Sequence, residues 1–79
     1  MKTVSISLDS IEKVKSFVNT ISKYDYDFDL VSGRYVIDAK SIMGIFSLDL
    51  TKPIDLNIHC DDKDIETILD ELKPYLKEN

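Results

Sequence analysis

Ser41 is the residue whose type and position best support chemistry in this sequence. It begins the run Ser41–Leu48, which follows Lys40 and carries more apolar side chains than a solvated turn requires. A serine at the start of a short helix accepts a hydrogen bond from a backbone N–H two or three residues later. The position therefore predicts an N-cap, and it leaves a hydroxyl group at the surface beside a cation.

The apolar residues after Ser41 cannot all be buried by one short helix. We expect Ile45 and Leu48 to pack into the core and Ile42, Met43 and Phe46 to remain exposed. An exposed apolar patch of this kind commonly marks a docking surface, and methionine suits an adaptable one. If Phe46 instead folds inward, the patch is small.

Two other groups have the residue types of a metal or catalytic site but not the geometry. His59 and Cys60 are neighbours on a predicted strand, so their side chains should point to opposite faces. Asp25, Asp27 and Asp29 have the spacing that begins a calcium loop, but the glycine and closing glutamate of such a loop are absent. We therefore expect no metal, no cofactor and no general acid–base pair, which argues against a standalone enzyme.

The composition limits the classes of protein to consider. The 79 residues form one predicted domain, 1–79, and 43% hydrophobic residues favour a folded chain. A net charge of −5 argues against nucleic-acid binding, which needs a concentrated basic face. The single cysteine, the lack of an apolar run of about 18–20 residues and the lack of a signal peptide predict a cytoplasmic protein that does not bind membranes.

Alternating apolar and polar residues predict four strands. Thr3–Leu8 and Ile54–Cys60 alternate throughout, so each should bury one face. Between them, the runs Tyr24–Leu30 and Arg34–Ala39 predict a hairpin around the turn Ser32–Gly33. In its second strand the side chains expected on one face are Tyr35, Ile37 and Ala39.

Two long helices follow from apolar residues at steps of three and four. The first begins at Asp9 or Ser10, where Asp9 and Glu12 have capping-box spacing, and its apolar face is Ile11, Val14, Phe17, Val18 and Ile21. The last begins at Asp61–Asp62 and should end or kink near Lys73, because Pro74 removes a backbone donor. Its apolar stripe is Ile65, Ile68, Leu69, Leu72 and Leu76.

The predicted order is β-α-β-β-α-β-α, with one apolar face on each element. The economical packing is an α+β fold, an open-faced two-layer sandwich in which a four-stranded antiparallel sheet carries its helices on one face.

This order and several short motifs resemble the HPr family, the small phosphocarriers of the bacterial sugar phosphotransferase system. The matching segments are Ser22–Asp25, Ser32–Gly33, Lys40–Gly44 and Ser47–Leu48. The resemblance implies the same open-faced sandwich and two phosphorylation sites. One is a histidine at the start of the first helix, and the other is the serine of the Ser-Ile-Met-Gly motif, here Ser41, which a regulatory kinase phosphorylates in many low-GC Gram-positive bacteria.

The sequence departs from the family at the histidine site. Leu8–Lys13 stands where the family has a Gly-x-His-Ala-Arg-Pro motif, so the histidine, arginine and proline are all missing. The only histidine is His59, far along the chain. Asp9 and Glu12 would also place negative charge where the phosphoryl group should arrive. We therefore expect no phosphohistidine.

The resemblance is nearest to the catabolite-repression HPr-like proteins, which also lack the histidine and bind a transcription regulator when the serine is phosphorylated. It implies a regulatory protein-binding module switched at Ser41, where phosphate adds about −1.5 to −2 charges that Lys40 could pair with. Lys40, Ile42, Met43 and Phe46 would contact the protein partner, a regulator or kinase of the HPr type. Glu12 in place of the family's arginine suggests a different partner or mode of binding.

Two alternatives remain. The chain could be a divergent phosphocarrier that uses another acceptor, for which Ser10 is the candidate near the helix start. It could instead be a structural interaction module, a monomer or a weak homodimer that associates through the apolar patch.

Overall fold

The computed structural model describes residues 1–77 as an alternation of strands and helices in the predicted order. The elements are β1 (Lys2–Ile6), α1 (Ile11–Ser22), β2 (Asp27–Ser32), β3 (Tyr35–Asp38), α2 (Ile42–Phe46), β4 (Ile54–His59), α3 (Asp62–Leu72) and a 3-10 turn (Lys73–Tyr75). The predicted α+β class and the order β-α-β-β-α-β-α are confirmed. No helix among these residues has the length and hydrophobicity needed to cross a bilayer.

The four strands form one antiparallel sheet in the order β1-β4-β2-β3. Phe28 and Leu30 of β2 lie beside Ile58 and Leu56 of β4, and all four are buried under the helices. The intervening residues face solvent, so the predicted open-faced sandwich is confirmed. The buried core is Ile6, Leu8, Val14, Phe17, Val18, Ile21, Phe28, Leu30, Ala39, Ile45, Ile54, Leu56, Ile58, Ile68, Leu72 and Tyr75.

Helix α1 begins at one of the two predicted residues, but without the predicted capping box. Ser10 is the N-cap, and its Oγ accepts a hydrogen bond from the Lys13 N–H at 3.1 Å. Asp9 instead forms an ion pair with Lys13 at 3.3 Å, so the expected capping box with Glu12 is wrong. Ile11 is 58% exposed, because helical side chains tilt toward the N-terminus and its side chain projects beyond the packed turn.

The hairpin turns one residue later than predicted. Ser32 ends β2, and the turn is Gly33–Arg34, with Gly33 at φ 60°. Ala39 is buried and Ile37 is half-buried, as expected for their face. Tyr35 is exposed, however, because β3 is an edge strand and the helical layer does not cover its first residue.

The C-terminal segment packs along the outer edge of β1. Helix α3 ends at Leu72 and Pro74 lies in the 3-10 turn, as the proline predicted. The Ser7 N–H then donates to the Tyr75 carbonyl and the Lys77 N–H to the Ser5 carbonyl, each at 2.8 Å. Leu76 bridges to Ile6, so it belongs to this extended segment rather than to the helical stripe.

Candidate functional site

Ser41 is exposed at the start of α2, where it acts as the N-cap. Its backbone is extended, and its Oγ accepts a hydrogen bond from the Gly44 N–H at 3.2 Å. Its carbonyl accepts from the Ile45 N–H at 3.0 Å. The predicted capping role of Ser41 is therefore confirmed, and its oxygen lies at the surface.

Gly44 allows α2 to close against this serine. A Cβ atom at Gly44 would lie 3.1 Å from the Ser41 Oγ and 3.3 Å from the Ile37 Cδ1. Both distances are shorter than ordinary van der Waals contacts, so a larger residue would push on the capping oxygen. This close approach could not be predicted from the local sequence, because it depends in part on the Ile37 side chain of β3.

The side chain of Lys40 contacts residues at the end of α1 and in β2. Its Nζ donates to the Tyr24 carbonyl at 2.7 Å and lies 5.7 Å from the centre of the Phe28 ring. This places a cation just beyond the C-terminal end of α1, where the helix dipole favours it. In this structure Lys40 therefore stabilises the junction between α1 and α2, a contact that the sequence did not indicate.

The apolar residues of α2 divide as predicted. Ile45 is fully buried, and Leu48 packs partly against the core. Met43 is 81% exposed, Phe46 41% and Ile42 36%. Ile42, Met43 and Phe46, here called the α2 patch, thus form an exposed apolar surface beside Ser41. Their role in binding a partner stays a prediction.

The start of α1 is formed by Asp9, Ser10 and Glu12, and no histidine lies there. The Ser10 Oγ caps the helix and is only half-exposed. The ion pair between Asp9 and Lys13 engages a lysine of the first turn. Glu12 is exposed and adds negative charge to the same turn.

His59 lies on the solvent face of the sheet, far in sequence from the start of α1. Its Nε2 is 2.7 Å from the Asp29 Oδ2 on the neighbouring strand. Cys60 lies just past β4, and its half-buried side chain packs against the core. Burial raises the pKa of its thiol. Within residues 1–77, no group of three or more histidine, cysteine, aspartate or glutamate side chains is arranged to hold a metal ion.

A polar cluster fastens the end of α1 to α3. The Tyr24 hydroxyl donates to the Glu71 Oε2 at 2.7 Å, and the Lys23 Nζ donates to the Glu71 Oε1 at 2.9 Å. The hydrogen bond to Glu71, together with burial, raises the pKa of Tyr24 to about 12. The same hydrogen bond from Tyr24, with that from Lys23, lowers the pKa of the Glu71 carboxyl group.

Comparison with known proteins gives a consistent set of matches. A family model described as the phosphorylation site of the PTS HPr component matches residues 12–78. The crystal structure of HPr-C-His from Thermoanaerobacter tengcongensis is similar with a TM-score of 0.72 and 29% identity, over 91% of this chain and 90% of that one. A phosphocarrier protein HPr from Bacillus anthracis str. Ames is similar with a TM-score of 0.69 and 26% identity, over 96% and 94% of the two chains.

Proposed function

Because the chain belongs to the HPr family of the phosphotransferase system, we propose that it is a regulatory protein-binding module that lacks the phosphohistidine site and is switched by phosphorylation of Ser41. HPr proteins carry phosphoryl groups and interact with other proteins of that system, so binding rather than catalysis is the expected activity. Residues 1–79 are taken as one such domain.

The observation that carries the proposal is the placement of Ser41. Its oxygen is exposed, and its hydrogen bond within the described residues comes from the Gly44 N–H. A phosphate attached there would extend into solvent, so no buried charge opposes it. The α2 patch lies beside it, so a partner that contacts Ile42, Met43 and Phe46 would meet the phosphate in the same interface.

The absence of a phosphohistidine is inferred from where His59 lies. It is the only histidine of the sequence, and it pairs with Asp29 on the solvent face of β4 and β2. No other imidazole can stand at the start of α1. The divergent-phosphocarrier alternative would therefore need Ser10, whose hydroxyl already caps the helix.

The test is phosphorylation by an HPr kinase with ATP, read by intact mass and by fragmentation. We expect one phosphate on the native chain and on Ser47→Ala, and none on Ser41→Ala. Ser47 is a matched control, because it is also an exposed serine of the α2 segment and bonds to the same glycine, donating to the Gly44 carbonyl at 2.6 Å. Failure of the native chain to react, beside a control HPr that does, would reject the Ser41 switch.

Incubation with enzyme I and labelled phosphoenolpyruvate separates the proposal from the phosphocarrier alternative. We expect no incorporation into this chain under conditions that label a control HPr. Label on the native chain that disappears in Ser10→Ala would establish the alternative. The partner surface is tested separately with the phosphorylated chain and Met43→Asp, which should bind an HPr-type regulator at least about tenfold more weakly because it places a charge in an apolar contact.

A further inference from the structure

The two edges of the sheet are protected to different degrees. The outer edge of β1 is covered by the C-terminal segment, through the bonds of Ser5 and Ser7 to Lys77 and Tyr75. The outer edge of β3 pairs with no other strand among residues 1–77. An uncovered edge presents unpaired backbone groups to other chains, and natural edge strands limit pairing by short length, charged side chains, proline or a bulge. The strand β3, Tyr-Val-Ile-Asp, is short and ends in one charged residue, Asp38, but it has no lysine, proline or bulge.

The backbone of Val36 points out of this edge. In an antiparallel pair, alternate residues bond to the neighbouring strand and the others turn away from it. The Ala39 N–H donates to the carbonyl of Phe28 in β2 at 2.8 Å, so the backbone groups of Ala39, Ile37 and Tyr35 face β2. Val36 and Asp38 therefore turn outward. The Asp38 carbonyl already accepts from the Ser41 N–H. The N–H and carbonyl groups of Val36, in the middle of the edge, therefore remain available to another strand.

We propose that the β3 edge is an interface for a second copy of this chain, which pairs with it antiparallel about a twofold axis at Val36. In that register Val36 meets its own counterpart, and Tyr35 lies opposite Ile37 of the second copy. Tyr35 is 70% exposed and Val36 64% exposed, so both have apolar surface available for such a contact. Two sheets of four strands would then form one sheet of eight.

The charges along this edge are self-complementary in the same register. Arg34, the only arginine of the sequence, would lie opposite Asp38 of the second copy, and the symmetry creates this pair twice. Within the described residues Arg34 has no carboxylate at ion-pairing distance. Opposite charges directly across two strands stabilise the pairing, and like charges destabilise it. A register shifted by one residue in either strand would lose both the charge pairs and the valine pair.

The experiment is sedimentation velocity of the whole chain over a concentration series, with variants that change the edge but not the core. We expect a concentration-dependent dimer in the native chain and a monomer in Val36→Lys, which would place two lysines against each other. Met43→Asp is the matched control: it alters an exposed apolar residue of the α2 patch and should leave the dimer unchanged. A monomer at every concentration, or a dimer lost in Met43→Asp but kept in Val36→Lys, would overturn the proposal.

A charge exchange tests the register. Arg34→Asp and Asp38→Arg should each weaken self-association at least roughly tenfold, because each variant puts like charges opposite one another. An equimolar mixture of the two variants should dimerise again, since both charge pairs are then complementary. Circular dichroism of each variant checks that it folds, which matters because the Asp38 carboxylate also accepts from the Lys40 N–H. Folded variants that do not associate when mixed would reject the register.

Hydrogen exchange of the Val36 amide gives an independent readout. Dimerisation in the proposed register hydrogen-bonds that amide to the second copy, so its exchange should slow as protein concentration rises. The Tyr35 amide, which faces β2 in either state, should not change. Equal concentration dependence at both residues, or none at Val36 in a sample that sediments as a dimer, would contradict the proposed pairing.

Discussion

The hydrogen bond that caps α2 joins Ser41 to Gly44, and it leaves little space for a side chain at position 44. The serine oxygen accepts the glycine N–H, and a Cβ at Gly44 would lie 3.1 Å from that oxygen. Alanine at position 44 would favour the helix by up to about 1 kcal/mol but would crowd the cap. The effects of replacing Ser41 and of replacing Gly44 on the free energy of unfolding should therefore not be additive.

The first prediction concerns this pair. Ser41→Ala should reduce the free energy of unfolding by roughly 1 kcal/mol, because the cap of α2 is lost. Gly44→Ala should change the free energy of unfolding less favourably in the native chain than in the Ser41→Ala variant, where the capping oxygen has been removed. Urea denaturation of the four chains gives the coupling free energy. Strict additivity of the two changes would contradict the contact.

Single residues were predictable from the sequence where their role is local. The capping of Ser41 and the end of α3 before Pro74 depend on neighbours within a few positions, and both predictions are confirmed. The sequence placed Ile11 on the apolar face of α1 and Tyr35 on one face with Ile37 and Ala39, but it did not indicate that both side chains would be exposed, because exposure depends on how far the neighbouring elements cover them. The engagement of Lys40 by the Tyr24 carbonyl joins residues sixteen positions apart, and no local pattern encodes it.

At the scale of elements, the helical layer is held by polar contacts at its edges as well as by the core. Tyr24 and Lys23 connect the end of α1 to Glu71 of α3. Lys40 connects the same end of α1 to the start of α2. The end of α1 is therefore the point where the three helices are joined.

Lys40→Met tests one of these connections. Methionine keeps an apolar chain against Phe28 but cannot donate to the Tyr24 carbonyl, so the free energy of unfolding should fall by about 1–2 kcal/mol. Lys52→Met, at an exposed lysine outside the helices and strands, is the control and should change it little. The measurement is urea denaturation at neutral pH. Equal stability of the two variants would show that the Lys40 contact contributes nothing.

Tyr24→Phe tests the other connection through its dependence on pH. The folded pKa of Tyr24, about 12, is above the ordinary 10.0, so its contribution is complete below pH 10 and is lost as pH rises toward 12. The pKa of Glu71 is depressed below the ordinary 4.5, so its contribution is present above that value and is lost as pH falls through the folded pKa. The stability difference between Tyr24→Phe and the native chain should therefore be largest between about pH 5 and 10.

The matched control is Tyr35→Phe, which removes an exposed hydroxyl on β3. Its stability relative to the native chain should not change over this range. Denaturation curves at several pH values from 3 to 12 provide the comparison. If the difference in free energy of unfolding between Tyr24→Phe and the native chain is the same at every pH, the tyrosine–glutamate contact is rejected.

At the scale of the whole molecule, charge is distributed unevenly. The open face of the sheet carries four aspartates, and Asp29 lies directly opposite Asp38 on β3. The other two are Asp27 and Asp55, and none of the strand residues on this face is a lysine or an arginine. Because the net charge is −5, repulsion among the aspartates of this face should lower the free energy of unfolding at low ionic strength.

Salt should therefore stabilise the fold. Raising sodium chloride from about 0.01 to 0.3 M should increase the free energy of unfolding by roughly 0.5–1 kcal/mol, because the Debye length falls from about 30 Å to roughly 6 Å and the repulsion between the aspartates is screened. Asp55→Asn should reduce this increase, whereas Glu66→Gln, which removes an equal charge from exposed α3, should reduce it less. Thermal unfolding at both salt concentrations checks this. Equal salt dependence in the two variants would show that the sheet face has no special role.

The fold as a whole was predictable because its pattern is simple. Alternation identified the buried residues of β4, and steps of three and four identified most of the core of α1 and α3. The strand order β1-β4-β2-β3 has no local signature, since it is decided by contacts between residues about fifty positions apart. For the candidate site, the residues and their exposure were predictable, but the contacts of Lys40 and Gly44 were not.

The pairing of β1 has a consequence for synthesis on the ribosome. Ile6 pairs with Ile54 and Leu76, which are synthesised much later than Ile6. Strands β2 and β3, in contrast, can pair as soon as the short turn between them and β3 have been synthesised. At elongation rates of about 5–20 residues per second, the nascent β1 waits roughly 2–10 s for β4 to emerge. During that interval Val4, Ile6 and Leu8 are an unpaired apolar stripe of the kind that holdase chaperones bind. Of these four strands, the first to leave the exit tunnel is thus among the last to be protected.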